Sequence, residues 1–233
     1  MSGRSEDLQT FYSGFNQTVA ILRKDLRAEL RNRAALNAIL LFAITALIVV
    51  GFAVGPSSIA PVLKAALLWI TLFFAAFSGL AHVFLHEEES GTVMALRLCA
   101  LPGAVYAGKL AFNLLLLLAI GLLVVPLFLV IVNLQPEQPL AFGLVVLCGG
   151  SGLGAAATIV AAIIAKAKGK GALYGALGFP ILLPLLIIAV HGTRTTLTDA
   201  PFSMAVPDLV GLLAYTIMLV TASSLLFPYV WEE

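Results

Sequence analysis

An all-helical bundle that crosses a membrane several times is the fold class this sequence predicts. Composition is the first observation behind it: hydrophobic residues make up 61% of the 233 residues and charged residues only 11%, far from the balance of a soluble domain. Segregation of the charges is the second: no Asp, Glu, Lys or Arg occurs in 34–63, 65–86, 110–136, 138–165, 171–193 or 209–231. Each of those six stretches is long enough for an apolar helix to cross the hydrocarbon core, which takes about 20 residues. The third observation is that the short alternating segments of a membrane barrel are missing, so the backbone has to satisfy its hydrogen bonds inside helices.

The elements follow in order. Residues 1–16 read as a loose polar start. From Gln17 to Arg33, Val19, Leu22, Leu26 and Leu30 recur at helical spacing, with Arg23, Lys24, Arg27 and Arg31 elsewhere around the helix. That pattern predicts a basic amphipathic helix lying in the headgroup layer, in contact with membrane lipid. Two regions result: a segment 1–33 with the interfacial helix, and a six-helix transmembrane domain over 34–233. The spans are expected near 34–55, 62–85, 109–133, 139–165, 171–191 and 208–231. Gly55-Pro56-Ser57-Ser58 and Gln135-Pro136-Glu137 read as turns, and Lys166-Ala167-Lys168-Gly169-Lys170-Gly171 closes the fourth and fifth spans. The stretch 191–207 is polar and placed to fold over a mouth of the bundle.

Six spans put both termini on one side. Arg4, Arg23, Lys24, Arg27, Arg31, Arg33, Arg97, Lys109, Lys166, Lys168 and Lys170 fall on that side, and only Lys64 and Arg194 fall opposite. This asymmetry predicts cytoplasmic termini, and no cleavable signal peptide is read in the polar first 33 residues. Within the spans, Gly150/Gly154 and Gly171/Gly175 form small-xxx-small pairs suited to close helix packing. Pro126, Pro180 and Pro184 are expected to kink their helices.

Much chemistry is missing. There is no Gly-x-x-x-x-Gly-Lys-[Ser/Thr] phosphate loop and no metal-ligand spacing, so no catalytic and no metal site is expected, and no nucleic-acid partner. Spans nearly free of charge argue against proton coupling and against an intramembrane enzyme. Cys99 and Cys148 are not expected to pair. His82 and His86 lie one turn apart and cannot ligate opposite faces of one haem iron; with His191 they read as polar residues at helix ends. Trp69 and Trp231 read as span or interface aromatics.

The informative polar feature is Glu87-Glu88-Glu89-Ser90-Gly91-Thr92 between the second and third spans. Acidic residues suit a first helical turn, and Val93, Met94, Leu96 and Leu98 supply apolar contacts. A short cytoplasmic helix over about 87–98 is therefore expected, held between two spans and able to dock in a groove of a cytoplasmic motor. Lys109 would mark the start of the third span.

These residues carry a resemblance. Glu87-x-Glu89-x-Gly91-Thr92, followed by Pro102 and Lys109, is similar to the coupling region of ABC-2-type permeases, and in particular resembles the CcmB family, the haem exporter protein B family of cytochrome c maturation. Leu22-x-x-Asp25-Leu26-Arg27-x-Glu29-Leu30-Arg31 is similar to that family's first helix. Gly55-Pro56 with Trp69, and Gly152 through Lys166-x-Lys168-Gly169 with Pro180 and Pro184, are similar to its later parts. The 91–109 stretch carries fewer prolines than the family pattern, and 191–207 is not distinctive.

The resemblance implies an ABC-2-type exporter fold and a non-catalytic permease subunit in the bacterial inner membrane. Two such permeases would work with two CcmA-like ATPase subunits, which bind the ATP. CcmC and CcmD are implied neighbours, and the haem chaperone CcmE the acceptor. Haem would be handled as a ligand, with no cofactor held covalently. Glu87, Glu89, Gly91, Thr92, Leu96 and Arg97 would carry coupling to the ATPase. Two alternatives stay open on the sequence: an ABC-2 exporter of a lipid or polysaccharide, and a scaffold for haem-handling proteins that transports nothing.

Overall fold

The computed structural model describes residues 3–54, 59–80, 93–165 and 170–232, and every regular element among them is helical. In chain order these are α1 (Gly3–Asn32), α2 (Ala34–Val54), α3 (Pro61–Leu80), α4 (Val93–Cys99), α5 (Pro102–Ile131), α6 (Pro139–Ala165), α7 (Lys170–Thr196), a 3-10 turn (Phe202–Met204) and α8 (Val206–Glu232). Four stretches among the described residues are long and apolar enough to cross a bilayer: Pro102–Ile131, Pro139–Ile163, Gly178–Thr196 and Phe202–Tyr229. Two shorter apolar helices, Ile39–Val54 and Pro61–Ala76, accompany them. The chain is a polytopic all-α membrane protein.

The helix ends follow from local chemistry. Pro61, Pro102 and Pro139 each open a helix, where the missing N–H costs nothing and the fixed φ favours the first turn. The end of α5 is a Schellman motif: Asn133 sits at φ 47°, Leu134 N–H donates to Leu129 O at 2.8 Å, and Asn133 N–H donates to Val130 O at 3.3 Å. Arg33, at φ 51°, breaks α1 from α2.

Several sequence expectations need correction. Residues 3–16 are not a loose start but continue α1 back to Gly3; only Gly14 interrupts an otherwise helix-compatible run, and acidic Glu6 and Asp7 suit a helix start. The third long helix begins at Pro102 rather than 109, which puts Lys109 inside the bundle. The 171–191 helix runs on to Thr196, so much of the expected outer loop is helical. Pro126, Pro180 and Pro184 lie within continuous helices. Pro184 cannot donate to the Pro180 carbonyl one turn back, and at the next carbonyl along the Tyr215 hydroxyl donates to Ile181 O at 2.6 Å.

Helix α6 is the most enclosed of the four long spans and packs against α3, α5, α7 and α8. Its small residues explain why. A Cβ on Gly149 would collide with the Trp69 ring of α3, and one on Gly152 would fall 2.6 Å from Leu185 of α7 and 2.8 Å from Thr216 of α8. These close approaches lie within one copy of the chain. The expected Gly150/Gly154 pair is only half used: Gly154 meets Leu114 of α5 at 3.0 Å, while Gly150 has only Leu117 at 4.0 Å. Around α6, Leu68, Leu72, Leu116, Ile120, Leu182 and Leu212 complete the apolar core.

Candidate functional site

The residues with chemistry gather at the two ends of the bundle. At one end α1 lies along the first turns of α5. Gln17 Oε1 accepts from Leu101 N–H at 3.0 Å, satisfying the residue that caps α5. Thr18 Oγ1 reaches Ala104 O at 3.5 Å. Ile21 packs so tightly on Gly108 that an added Cβ would fall 2.8 Å from its Cγ2. One turn on, Asp25 Oδ2 stands 3.0 Å from Lys109 Nζ, in a pair with side chains only 8% and 1% exposed. These contacts step along both helices in the same direction.

Helix α4 joins this end through its last turn. Leu96 is half-buried against the cluster of Ile21, Val105, Tyr106, Phe227 and Trp231. The Arg97 guanidinium lies 5.7 Å from the centre of the Trp231 ring, a cation–π distance. Its Nε is buried and has no hydrogen-bond partner among the described residues. Trp231 stacks on Phe227 at 5.5 Å, and Phe227 meets Tyr106 at 5.4 Å. A cleft of about 470 Å³ opens here between Gln17, Arg97, Cys99, Pro102 and Trp231. Thus α1, α4, α5 and the end of α8 form one assembly.

The expected coupling residues divide. Glu87, Glu89, Gly91 and Thr92 lie outside the described residues, as do His82 and His86, and of the helix expected over 87–98 the structure describes Val93–Cys99. Leu96 and Arg97 are brought to the cluster just described. Arg23, Lys24, Arg27 and Arg31 are all exposed on α1. The expected leucine stripe divides: Leu22 packs against the core, Leu26 and Leu30 stay uncovered, and the bundle-facing side also holds Thr18, Ile21 and Asp25. Leucines left bare beside exposed arginines suit a helix facing lipid on one side and headgroups on another.

The Asp25–Lys109 pair is what sequence reasoning missed. The sequence places Lys109 at the start of a span and Asp25 within the motif similar to the family's first helix, with nothing to join them. The available signal is weak: a lone Asp amid Arg23, Lys24 and Arg27, four residues from Ile21 and three from Leu22. Of the two readings for Trp69 and Trp231, span or interface, the buried side chains fit the first. Trp69 Nε1 donates to Thr193 Oγ1 at 2.8 Å in the buried middle of the opposite end.

At that opposite end, His191 Nδ1 contacts both carboxylate oxygens of Asp208, at 3.0 and 2.9 Å. Lys64 Nζ donates to Asn133 O at 3.3 Å, and Gln138 N–H to Thr196 O at 3.3 Å. Between the two ends, α5 and α6 frame an apolar groove of about 510 Å³ lined by residues such as Leu114, Leu118, Pro126, Phe142 and Val146. Ser151 is the one hydroxyl in its lining, so the groove suits an acyl chain and offers no ligand to a metal.

Comparison with known proteins places this architecture. The family model described as CcmB protein matches residues 16–225. The chain is 27% identical over 192 residues to Heme exporter protein B of Bradyrhizobium diazoefficiens, covering 79% of this chain and 86% of that protein. It is 27% identical over 207 residues to Heme exporter protein B of Rhodobacter capsulatus, covering 88% of this chain and 95% of that protein.

Proposed function

The chain belongs to the CcmB family, and on that premise we propose that it is the permease subunit of a haem export system serving cytochrome c maturation. The observation that carries this reading is the family match across residues 16–225, which runs from the middle of α1 to the last turns of α8. The missing phosphate loop fits a subunit that leaves ATP hydrolysis to a partner.

In this reading six spans lie in the bacterial inner membrane with both termini in the cytoplasm, as the Lys/Arg asymmetry favours. The spans take an ABC-2-type exporter arrangement. Two copies work with two CcmA-like ATPases, beside CcmC and CcmD, and CcmE receives the haem. ATP-driven closure of the ATPase dimer pushes on residues 87–98. Glu87, Glu89, Gly91 and Thr92 meet the ATPase, and Leu96 and Arg97 pass the push inward. Two routes lead on: α4 runs through Ala100 and Leu101 into α5, and Arg97 bears on Trp231 of α8. Because Asp25 and Lys109 tie α1 to α5, the interfacial helix, with Arg23, Lys24, Arg27 and Arg31 at the headgroups, moves with that span. The outcome is haem export or release of haem-loaded chaperone.

Deleting the gene should abolish haem attachment to c-type cytochromes while leaving lipid and polysaccharide export intact; the reverse pattern would point to an ABC-2 exporter of another cargo. Replacing Glu87 and Glu89 together with Lys should reduce ATPase co-purification and cytochrome c yield. Unchanged binding and yield would remove the coupling role.

A further inference from the structure

The end of the bundle away from α1 holds an imidazole whose two nitrogens are in different situations. His191 closes on Asp208 through Nδ1 at 2.9 Å, with side chains 60% and 13% exposed. A carboxylate can only accept, so in the neutral ring the proton sits on Nδ1 and Nε2 keeps its lone pair. The exposed part of the ring is therefore the part able to bind a metal. This is how protein sites prepare a histidine ligand: a carboxylate on the far nitrogen fixes tautomer and orientation and raises basicity.

Two further features stand beside it. Arg194 is exposed, three residues on along α7 and so adjacent on the helix surface, and it has no ion pair among the described residues. The 3-10 turn Phe202–Met204 stacks directly on the start of α8, with Ala205 N–H donating to Phe202 O at 3.0 Å and Leu209 N–H to Ala205 O at 3.0 Å. That turn leaves Phe202, Met204 and Val206 exposed within two turns of Asp208. Close approach holds the arrangement together: a Cβ on Gly192 would sit 3.0 Å from Asp208 Cβ.

We propose that this end of the bundle is a haem-binding site in which His191 Nε2 is an axial ligand to the iron, Asp208 orients the ring, Arg194 pairs with a propionate, and the Phe202–Val206 turn covers part of the porphyrin. The three groups match the three chemistries of the ligand: a metal, an anionic edge and an apolar face. The groove between α5 and α6 supplies only the last. Binding forms an Nε2–Fe bond, displaces a water or a weaker ligand from the iron, leaves the iron's oxidation state unchanged and leaves the proton on Nδ1, donated to Asp208. The site rests on the proposed haem-export function and specifies where on this chain the cargo is met.

The test is a titration of ferric haem into the full chain in lipid nanodiscs, read by visible absorption against empty discs. The wild-type chain should give a saturable imidazole-ligated spectrum above the partition into empty discs. His191→Ala should lose that spectrum. His191→Cys should keep haem bound but move the absorption to a thiolate-ligated position, a change that misfolding would not produce. Asp208→Asn should weaken binding about tenfold, the loss typical of removing a carboxylate behind a ligating histidine. Arg194→Gln should weaken haem while leaving a porphyrin ester without free propionates unaffected. A wild-type spectrum from His191→Ala, or no binding above empty discs, overturns the site. Either result leaves the proposed function standing, because cytochrome c yield on deletion of the gene scores that reading separately.

Discussion

The two ends of the bundle each carry a carboxylate facing a basic side chain, and the two pairs are opposites in environment. Asp25–Lys109 is 8% and 1% exposed, whereas His191–Asp208 is 60% and 13% exposed. Separation is nearly the same, at 3.0 and 2.9 Å. Coulomb attraction at fixed distance scales inversely with the local dielectric, and so does the penalty for leaving one charge alone. The buried pair is therefore a fixed joint that the fold cannot open cheaply, while the exposed pair is a contact whose loss the fold tolerates. A joint suits an end where force is passed between helices, and a tolerant contact suits an end where a side chain has to meet a ligand.

Breaking the buried pair from one side gives the largest expected effect. Lys109→Met leaves the buried Asp25 carboxylate, among the described residues, with only the exposed Lys24 ammonium, 3.3 Å from Oδ1, and should cost about 3 kcal/mol, the low end for breaking a buried pair from one side, read as a lower midpoint in denaturant titration of the micellar protein. The double variant Asp25→Leu/Lys109→Met should recover most of that loss, since well-packed apolar replacements of buried pairs are often neutral or better. If the double variant is stable but cytochrome c yield stays low, the pair matters for moving α1 with α5 rather than for folding. A double variant as unstable as the single one would break the comparison.

The next effect belongs to the far end and involves no charge. Gly149→Val puts a branched side chain where the Trp69 ring already lies, and Trp69 is held in place by Thr193. Overpacking of this kind should cost about 1–3 kcal/mol, while Gly150→Ala, with only Leu117 at 4.0 Å, should be close to neutral. Thermal unfolding of the two variants separates a glycine the packing requires from one it does not. Equal losses would show that Trp69 yields and is no fixed strut.

This pair of glycines also shows what was legible in the sequence. Charge-free stretches placed α2, α6 and α8 to within two residues, because a bilayer imposes length and composition together, while α5 begins at Pro102 rather than 109 and α7 runs on to Thr196 rather than 191. The small residues of 149–154 announced close packing, but not which of them would face which neighbour, since that depends on the rotation of α6 against four other helices. The same limit hid the site contacts. Asp25 and Lys109 stand 84 positions apart in chain order, a separation that no local period encodes, though Arg97 and Leu96 were picked out by their place after the acidic turn. His191 looked like any polar residue at a helix end because its partner Asp208 lies on the next helix, beyond a turn whose shape the sequence does not spell out.

The smallest stability effect is the one that makes the far end testable. An exposed hydrogen bond of this kind contributes about 1 kcal/mol. His191→Ala and Asp208→Asn should therefore lower the unfolding midpoint only slightly, well short of the loss in Lys109→Met. A large loss in His191→Ala would mean that the imidazole braces α7 against α8, and the two ends would then be alike. A small loss means that whatever His191 does for the protein is not done for its folding, so that a change in haem spectrum at this position reports on binding alone.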